Sequence, residues 1–145
     1  TEVPKLSGLD GRKMSKSYDN VIYLSDSAQE LTQKVKVMMT DPARKRRSDP
    51  GDPDICPVFE LHHVYSTDHE QQEMAQGCRT AGIGCLDCKG VLIRNMLTDW
   101  QPLHEKRAYY TAHPREAMEV LEEGSKKARR MAQETMAQVR DAIHI

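Results

Sequence analysis

The stretch ARRMAQETMAQVRDAI, residues 128–143, decides the fold class because its apolar residues recur at the spacing of a helix. Charged and amide side chains lie between them, and the recurring apolar residues are Ala128, Met131, Ala132, Met136, Val139, Ala142 and Ile143. A repeat three and four positions apart is typical of an amphipathic helix with one buried face. The stretch therefore predicts a helix that packs one face on a core, within a mainly α-helical fold.

Helical signals also dominate the sequence between residues 27 and 127. Five more helices are predicted from the signals at their two ends. Serine, aspartate or proline marks the starts, and proline or glycine marks the ends. The predicted helices cover residues 28–39, 57–65, 68–77, 91–110 and 114–124. Pro102 is expected to kink the fourth helix or to start a new one, and a turn rich in glycine and cysteine precedes that helix. Residues 41–54 predict a polar, mobile connection, and Val21–Leu24 is the one plausible strand. The predicted fold is a helical bundle preceded by a loop and a short strand.

The composition excludes two broad classes of protein. There is no run of about 18 apolar residues, which a membrane-spanning helix would require, and a formal net charge of -1 excludes a uniformly basic nucleic-acid binder. Charge is nevertheless segregated, with basic blocks at residues 44–47 and 126–130 and an acidic block at residues 116–123. Basic blocks are either solvated faces or contacts to RNA phosphates, and both interpretations stay open at this point.

A loop rich in lysine and serine occupies residues 13–17, directly after the segment GLDGR at residues 8–12. The glycines allow tight turns and a close approach to a ligand. Two lysines three positions apart can converge on one polyphosphate, and serine hydroxyls add neutral donors. Positive charge in that place would meet the negative charge that develops on a leaving pyrophosphate. By composition alone, an exposed surface loop is the commoner explanation.

The pentapeptide Lys13-Met14-Ser15-Lys16-Ser17 resembles the KMSKS signature of class I aminoacyl-tRNA synthetases, and its flanks resemble the tryptophanyl branch. The likeness covers nearly the whole chain, because it continues through TDP at 40–42, PGDP at 50–53, AGIGC at 81–85 and GSKKA at 124–128. It implies the ATP-dependent attachment of tryptophan to tRNA(Trp). The implied substrates and partners are tryptophan, ATP with Mg²⁺, and tRNA(Trp), for a homodimer in the cytoplasm that binds no membrane.

The same resemblance implies roles for individual residues. Lys13 and Lys16 would be the catalytic pair that binds the ATP phosphates, with Ser15 and Ser17 assisting and Met14 offering backbone groups to adenine. Residues 1–26 would end a catalytic domain, and residues 27–145 would form a helical anticodon-binding domain. The Rossmann half of such an enzyme would lie N-terminal to the loop, so this chain is expected to supply only part of the enzyme. A tyrosyl enzyme and a non-catalytic RNA- or metal-binding module are the alternatives.

Four cysteines, Cys56, Cys78, Cys85 and Cys88, form a C-x21-C-x6-C-x2-C pattern. A cytosolic enzyme would not keep disulfides, so free thiols or a metal site remain. The short spacing between Cys85 and Cys88 lets two thiolates reach one centre. Inert buried thiols, a four-cysteine zinc site and an iron–sulfur cube all fit these residues, and the irregular spacing suits the cube best.

Some bacterial tryptophanyl enzymes, which this sequence resembles, hold a [4Fe–4S] cluster with closely similar cysteine spacing. The resemblance therefore favours a [4Fe–4S] cluster on the four cysteines, with Zn²⁺ as the alternative ligand. Lys89, next to the CxxC pair, is expected to donate toward the cluster sulfurs or an RNA base. His62 and His63 are interpreted as ordinary structural or exposed histidines rather than as metal ligands. Trp100 is expected in the core.

Overall fold

The computed structural model describes residues 5–144 of the chain, and these residues are mainly helical. The five α-helices are α1 (Ala28–Val37), α2 (Pro57–Tyr65), α3 (Asp68–Arg79), α4 (Cys85–Ala112) and α5 (Pro114–Ala142). Two short 3-10 helices cover Lys16–Tyr18 and Pro53–Ile55. No β-sheet forms among the described residues, where β pairing is limited to an isolated antiparallel bridge between Ser7 and Lys13. The prediction of a mainly α fold is confirmed.

The chain divides into two compact units, of which the first extends to Gln101 and the second begins at Pro102. Unit 1 contains the lysine loop, α1, α2, α3 and most of α4, and it holds the hydrophobic core. The buried core residues are Ile22, Leu31, Val35, Met38, Val58, Leu61, Leu92, Ile93, Met96 and Trp100. Trp100 is 4% exposed and meets the Tyr65 ring edge-on at 6.3 Å, which confirms its predicted place in the core. The predicted domain boundary between residues 26 and 27 stays a prediction.

Helix α1 begins at a complete capping box. The Ser27 hydroxyl accepts from the Glu30 amide at 3.2 Å, and the Glu30 carboxylate accepts from the Ser27 amide at 2.8 Å. Both bonds satisfy amides that have no partner inside the helix. Since Leu31 and Val35 are fully buried one turn apart, this fixed start also fixes which face of α1 enters the core.

The end of α1 is held by a buried lysine from α4. The Lys89 ammonium donates to the carbonyls of Lys36 at 2.7 Å and Met38 at 2.6 Å, and Lys89 is 5% exposed. Carbonyls in the last turn of a helix lack intrahelical partners, and a cation there also suits the helix dipole. The Lys89 ammonium is therefore directed to α1 and is too buried to reach an RNA base, so that part of the prediction is wrong, while donation toward a cluster stays a prediction.

Val21–Leu24 forms no strand in the structure, which corrects the sequence prediction. The backbone of this segment is bonded locally: the Asp26 carboxylate accepts from the Tyr23 amide at 2.9 Å, and the Lys34 ammonium donates to the Val21 carbonyl at 3.1 Å. Asp26 and Lys34 form an ion pair at 2.6 Å. Local bonds from side chain to backbone compete with a β ladder, and here they replace it.

The connection over residues 41–54 is polar, as predicted, but it is held rather than loose. Asp41 is 4% exposed, and its carboxylate accepts from the amides of Ala43 at 2.8 Å and Asp52 at 2.9 Å. The Asp49 carboxylate accepts from the amides of Lys45 and Arg46. The aspartates that suggested mobility are thus the groups that satisfy the backbone amides of this segment.

The ends of α1, α3 and α4 differ from the sequence prediction by two residues each, and three further differences are larger. Helix α4 begins at Cys85, six residues earlier than Val91, because the Asp87 carboxylate accepts from the Gly84 amide at 2.9 Å and stabilises the first turn. The CxxC pair is therefore helical and not part of a turn. No new helix begins at Pro102, which lies inside α4. Helix α5 passes through Gly124, since a glycine in a helix interior costs only about 1 kcal/mol.

Unit 2 exposes the apolar face of α5. The described residues of α5 include no buried side chain, so the prediction that this helix packs on a core is wrong for this unit. The exposed apolar residues of α5 and its C-cap are Met118, Val120, Leu121, Met131, Met136, Val139 and Ile143. None of the helices in the described range 5–144 has the length and apolar content to cross a membrane.

Candidate functional site

The lysine loop begins in a tight backbone turn. The Gly8 amide donates to the Arg12 carbonyl at 2.7 Å, and the Met14 amide donates to the Leu6 carbonyl at 3.0 Å. Gly11 has a φ of 78°, a left-handed conformation that glycine adopts without strain. Residues 13–17 follow this turn directly in the chain.

A buried asparagine, Asn20, is hydrogen-bonded to both sides of the lysine loop. It is 2% exposed, and its side-chain oxygen accepts from the Ser15 amide at 2.8 Å. Its side-chain nitrogen donates to the Asp10 carboxylate at 2.7 Å, and its backbone carbonyl accepts from the Leu9 amide at 3.0 Å. Gly8 lies so close that any β-carbon there would collide with Asn20. One buried asparagine thus joins both sides of the loop.

The Asp10 carboxylate is the charged partner of this asparagine. Its bond from Asn20, followed by bonds from Arg12, lowers the pKa of Asp10 to about 2. Arg12 also contacts Asp10 at 2.6 Å and lies over the Tyr18 ring at 4.4 Å. Asp10 therefore stays ionised through the neutral range and keeps its hold on the loop.

The two lysines border one open groove of about 420 Å³. Its lining residues are Lys5, Leu6, Lys13, Met14, Ser15, Lys16 and Val21. Both predicted catalytic lysines are exposed at its edge, while Met14 is half-buried against the core. Ser17 does not line this groove; its amide donates to the Ser15 hydroxyl at 3.3 Å and so fixes the short turn that begins at Lys16. Such a groove offers cations and a hydroxyl to a polyphosphate.

The groove includes a cation that the motif did not indicate. Lys5 lies eight positions before Lys13 and reaches the groove because the hairpin-like turn brings residues 5–6 alongside residues 13–14. Sequence reasoning missed Lys5 because it has no fixed spacing to the pentapeptide. A hairpin reading of residues 6–14, with its glycines, was the signal that could have found it.

The four cysteines line one small cavity in unit 1. Its other lining residues are Thr40, Arg44, Pro53, Val58, Phe59 and Ile83, so no carboxylate is among them. All four thiols are unbridged and half-buried. The cavity measures about 20 Å³, which is room for about one water. The structure therefore brings together all four predicted ligands, from the start of α2, the end of α3 and the first turn of α4.

A buried arginine borders the same cavity. Arg44 is 9% exposed, and its guanidinium donates to the carbonyls of Ile83 at 2.6 Å and Arg47 at 2.8 Å. Its Nη1 lies 3.7 Å from the Cys78 sulfur. A β-carbon on Gly51 would lie 2.7 Å from that sulfur, so the glycine lets the connection pass close to Cys78. Arg44 is thus a cation directed at a thiol and not part of an exposed basic surface.

His62 contacts the fourth cysteine. It is fully buried, and its Nε2 lies 3.2 Å from the Cys88 sulfur while its Nδ1 lies 2.7 Å from the Ser66 hydroxyl. Burial lowers the pKa of His62 to about 4, so the ring is neutral near pH 7. Burial raises the pKa of the Cys88 thiol to about 12, with the neighbouring thiols adding to the effect. His62 is thus more buried than the sequence indicated, and its cysteine partner was not foreseen.

A preformed site for a single metal ion is not present in the described range. No group of three or more histidine, cysteine, aspartate or glutamate side chains within residues 5–144 is arranged to hold one ion. Four thiolates around one Zn²⁺ would each lie about 2.3 Å from the ion. The cysteines share a cavity without converging to such a point.

A second cavity of about 330 Å³ lies beside the cysteines. It is lined by residues 44–47 of the basic block and by residues 84–87 at the start of α4. Lys45 and Arg46 are exposed, whereas Arg47 pairs weakly with Asp87 at 3.5 Å. Arg47 is exposed as well, so three of the four basic side chains are directed to solvent next to the cysteine site.

Comparison with known proteins assigns the chain to a family. A family profile described as "tRNA synthetases class I (W and Y)" matches residues 1–98, which include the lysine loop and all four cysteines. The chain belongs to the class I tRNA synthetases of the tryptophan and tyrosine type. This synthetase family is the one indicated by the pentapeptide and its flanks, so that expectation is confirmed.

Two relatives of this synthetase chain are tryptophan–tRNA ligases. The tryptophan–tRNA ligase of Thermotoga maritima is 47% identical over 146 residues, covering 100% of this chain and 44% of the relative. That of Ralstonia nicotianae is 45% identical, covering 99% of this chain and 36% of the relative. The chain therefore spans less than half the length of these relatives.

A solved structure has the same architecture. Tryptophanyl-tRNA synthetase from Campylobacter jejuni, complexed with ADP and tryptophan, matches with a TM-score of 0.85 at 29% identity. The match covers 99% of this chain and 44% of that one. The helical arrangement described above is thus that of a tryptophanyl synthetase.

Proposed function

We propose that this chain is the part of a tryptophan–tRNA ligase that carries the ATP loop and the helical tRNA-binding region. The observation that carries the proposal is the groove bordered by Lys13, Ser15 and Lys16 and fixed by Asn20. The relatives that align over nearly the whole chain are named for tryptophan, which supports tryptophan over tyrosine. Such an enzyme would work in the cytoplasm, with the remainder of the catalytic site on a Rossmann domain.

The reaction assigns a specific task to the loop. A carboxylate oxygen of tryptophan attacks the α-phosphate of ATP, the bond from the α-phosphorus to the bridging oxygen breaks, and pyrophosphate leaves with Mg²⁺. Negative charge builds on that leaving group, and Lys13 and Lys16 offer cations where it develops. The terminal ribose hydroxyl of tRNA(Trp) then attacks the adenylate carbonyl, and AMP leaves.

The basic connection between α1 and α2 supplies RNA contacts in this proposal. The solvent-directed side chains of Lys45 and Arg46 lie in an open cavity beside the cysteine site, where they would meet RNA phosphates. Releasing counterions from those phosphates makes binding depend on salt. The homodimer implied by the family stays part of the proposal.

The cysteine cavity fits an iron–sulfur cluster better than a single zinc ion. Four thiols face one cavity without carboxylates, and Arg44 brings a positive charge to Cys78. Thiolate ligands together with hydrogen bonds to sulfur are what such clusters use. We therefore propose that Cys56, Cys78, Cys85 and Cys88 hold a [4Fe–4S] cluster. The cavity has room for about one water, so it must widen to admit the cluster.

The amino acid is tested by ATP–pyrophosphate exchange in the full-length protein. Exchange that depends on tryptophan, with little response to tyrosine, is the expected result. Exchange driven by tyrosine would replace the proposal with a tyrosyl enzyme. Absence of exchange with both, together with intact tRNA binding, would favour a non-catalytic RNA-binding module.

The cluster is tested by metal analysis of protein purified without oxygen. Iron and acid-labile sulfide near four each per chain, with a brown colour, are expected for a cube. Stoichiometric zinc without sulfide would contradict the cluster proposal. Replacing Cys85 by serine should remove most of the iron if the cysteines hold it.

A further inference from the structure

Four polar side chains form a continuous chain that ends at Cys88. The chain crosses from α3 to α4, returns to the end of α2, and reaches the cysteine at the start of α4. Its successive distances are 2.9 Å from Glu70 Oε2 to Asn95 Nδ2, 3.1 Å from Asn95 Nδ2 to Ser66 Oγ, 2.7 Å from Ser66 Oγ to His62 Nδ1, and 3.2 Å from His62 Nε2 to Cys88 Sγ. The roles of the two His62 ring nitrogens depend on which of them carries the hydrogen.

The direction is set at the carboxylate end. Glu70 is ionised, because the Thr67 amide donates to it and lowers its pKa, and Arg94 pairs with it at 2.6 Å. An ionised carboxylate only accepts hydrogen bonds, so Asn95 must present its NH₂ group and not its oxygen. The second hydrogen of that NH₂ group is then donated to the Ser66 hydroxyl oxygen.

The direction at the histidine is set from the cysteine end. A thiolate at Cys88 can only accept, so a neutral His62 ring in contact with it carries its hydrogen on Nε2, and Nδ1 then accepts the Ser66 hydroxyl hydrogen. A neutral imidazole carries one N–H, and His62 is fully buried without a carboxylate in contact. Its hydrogen therefore lies on Nε2, directed at the Cys88 sulfur.

We propose that Glu70, Asn95 and Ser66 fix His62 as a hydrogen-bond donor to the Cys88 thiolate, which makes His62 a positioning residue for this cluster ligand. The inference rests on the cluster proposal and adds a residue outside the four cysteines. A donor to a ligand sulfur disperses its negative charge, which slows loss of the cluster and raises its reduction potential. Partners of this kind typically contribute 10–100-fold to metal affinity.

The test uses the full-length, cluster-loaded protein and two substitutions at one position. His62→Leu removes the donor, whereas His62→Gln places an amide NH₂ near the position of Nε2. His63→Leu is the matched control, because His63 is exposed and its Nδ1 contacts Gln71 instead. The measurements are the decay of the visible cluster absorbance under a chelator and the reduction potential.

The expected result is cluster loss about 10-fold or more faster in His62→Leu, with a lower potential. His62→Gln should recover much of both, and His63→Leu should match the wild type. A loaded His62→Leu protein with unchanged decay and potential overturns the inference while leaving the cluster proposal intact. Wild-type protein that contains no iron would contradict the cluster proposal, and this inference with it.

A second measurement needs no substituted His62. In cluster-loaded full-length protein labelled with ¹⁵N-histidine, where Cys88 is a thiolate, the His62 signals should show a neutral ring protonated at Nε2. Ser66→Ala should weaken that preference by removing the donor to Nδ1, so that the second tautomer becomes populated. A wild-type ring protonated at Nδ1 would contradict the inference even where His62→Leu fails to fold.

Discussion

Replacing Lys89 by methionine tests whether a buried ammonium holds α1 to α4. The substitution keeps the length and apolar character of the stem and removes the charged donor. Two carbonyls, those of Lys36 and Met38, then lose their partners inside the core. Since Lys89 is 5% exposed, water cannot readily replace the ammonium.

The magnitude follows from three opposing contributions. Each hydrogen bond from a charged donor is worth about 1.5–3 kcal/mol. Relief from the desolvation of a buried ammonium, together with added apolar burial, offsets about a third to a half of that sum. We therefore expect Lys89→Met to lower the free energy of unfolding by about 2–4 kcal/mol.

The assay is equilibrium unfolding in urea, together with amide hydrogen exchange in the last turn of α1. The matched control is Lys36→Met, because that side chain is exposed and only the backbone carbonyl of Lys36 is used. The control should change stability by less than about 0.5 kcal/mol. Equal stability of the two variants, or unchanged exchange at Met38, would refute the assignment of Lys89 to the end of α1.

Three further predictions follow from particular contacts. Asn20→Ala should return the pKa of Asp10 from about 2 toward its ordinary value, as measured by NMR of the carboxyl carbon. In the wild type Asp10 stabilises the fold above its unfolded pKa, and this contribution is lost as the pH falls through about 2; an unchanged titration in Asn20→Ala would contradict the bond. Gly51→Ala should lower both thermal stability and cluster retention, since its β-carbon would lie 2.7 Å from the Cys78 sulfur. Cluster retention equal to that of the wild type would show that the connection over residues 41–54 moves freely. Ser27→Ala should cost about 1 kcal/mol in urea unfolding through loss of the cap, and no loss would mean that the α1 capping box is dispensable.

Helix starts could be predicted from the sequence because their causes are local. Pro57 and Pro114 begin α2 and α5, and Ser27 caps α1, as their positions before apolar repeats indicated. The glycine at 124 was the weaker signal, since its cost is small against a helix of 29 residues. Local chemistry thus determined the starts of these helices, whereas the start of α4, predicted at Val91 and observed at Cys85, was missed.

The candidate site was predicted in its ligands but not in its supporting residues. The pentapeptide and the four cysteines carry recognisable spacing, and the structure places the cysteines around one cavity. Lys89, Arg44 and His62 act through partners that lie 51, 39 and 26 positions away along the chain. No spacing rule reaches that far, so only the packed helices reveal these contacts.

The sequence predictions for Val21–Leu24 and α5 were wrong for a different reason. Both were assigned from the pattern of their side chains alone. Such a pattern indicates which secondary structure a segment favours, but not which other residues it contacts in the fold. The strand was displaced by the Asp26–Lys34 pair, which uses the same backbone groups. The apolar face of α5 has the predicted period but no buried position within unit 2.

The central claim, that the lysine loop stabilises the leaving pyrophosphate, is tested most directly by single-turnover adenylate formation in full-length Lys16→Ala protein. Lys45→Ala serves as the control, because Lys45 is an exposed lysine that lies outside the loop. We expect the rate of adenylate formation to fall by about 100-fold or more in Lys16→Ala. Tryptophan binding in Lys16→Ala and the rate of adenylate formation in Lys45→Ala should stay unchanged. A Lys16→Ala enzyme that forms adenylate at the wild-type rate would contradict the central claim.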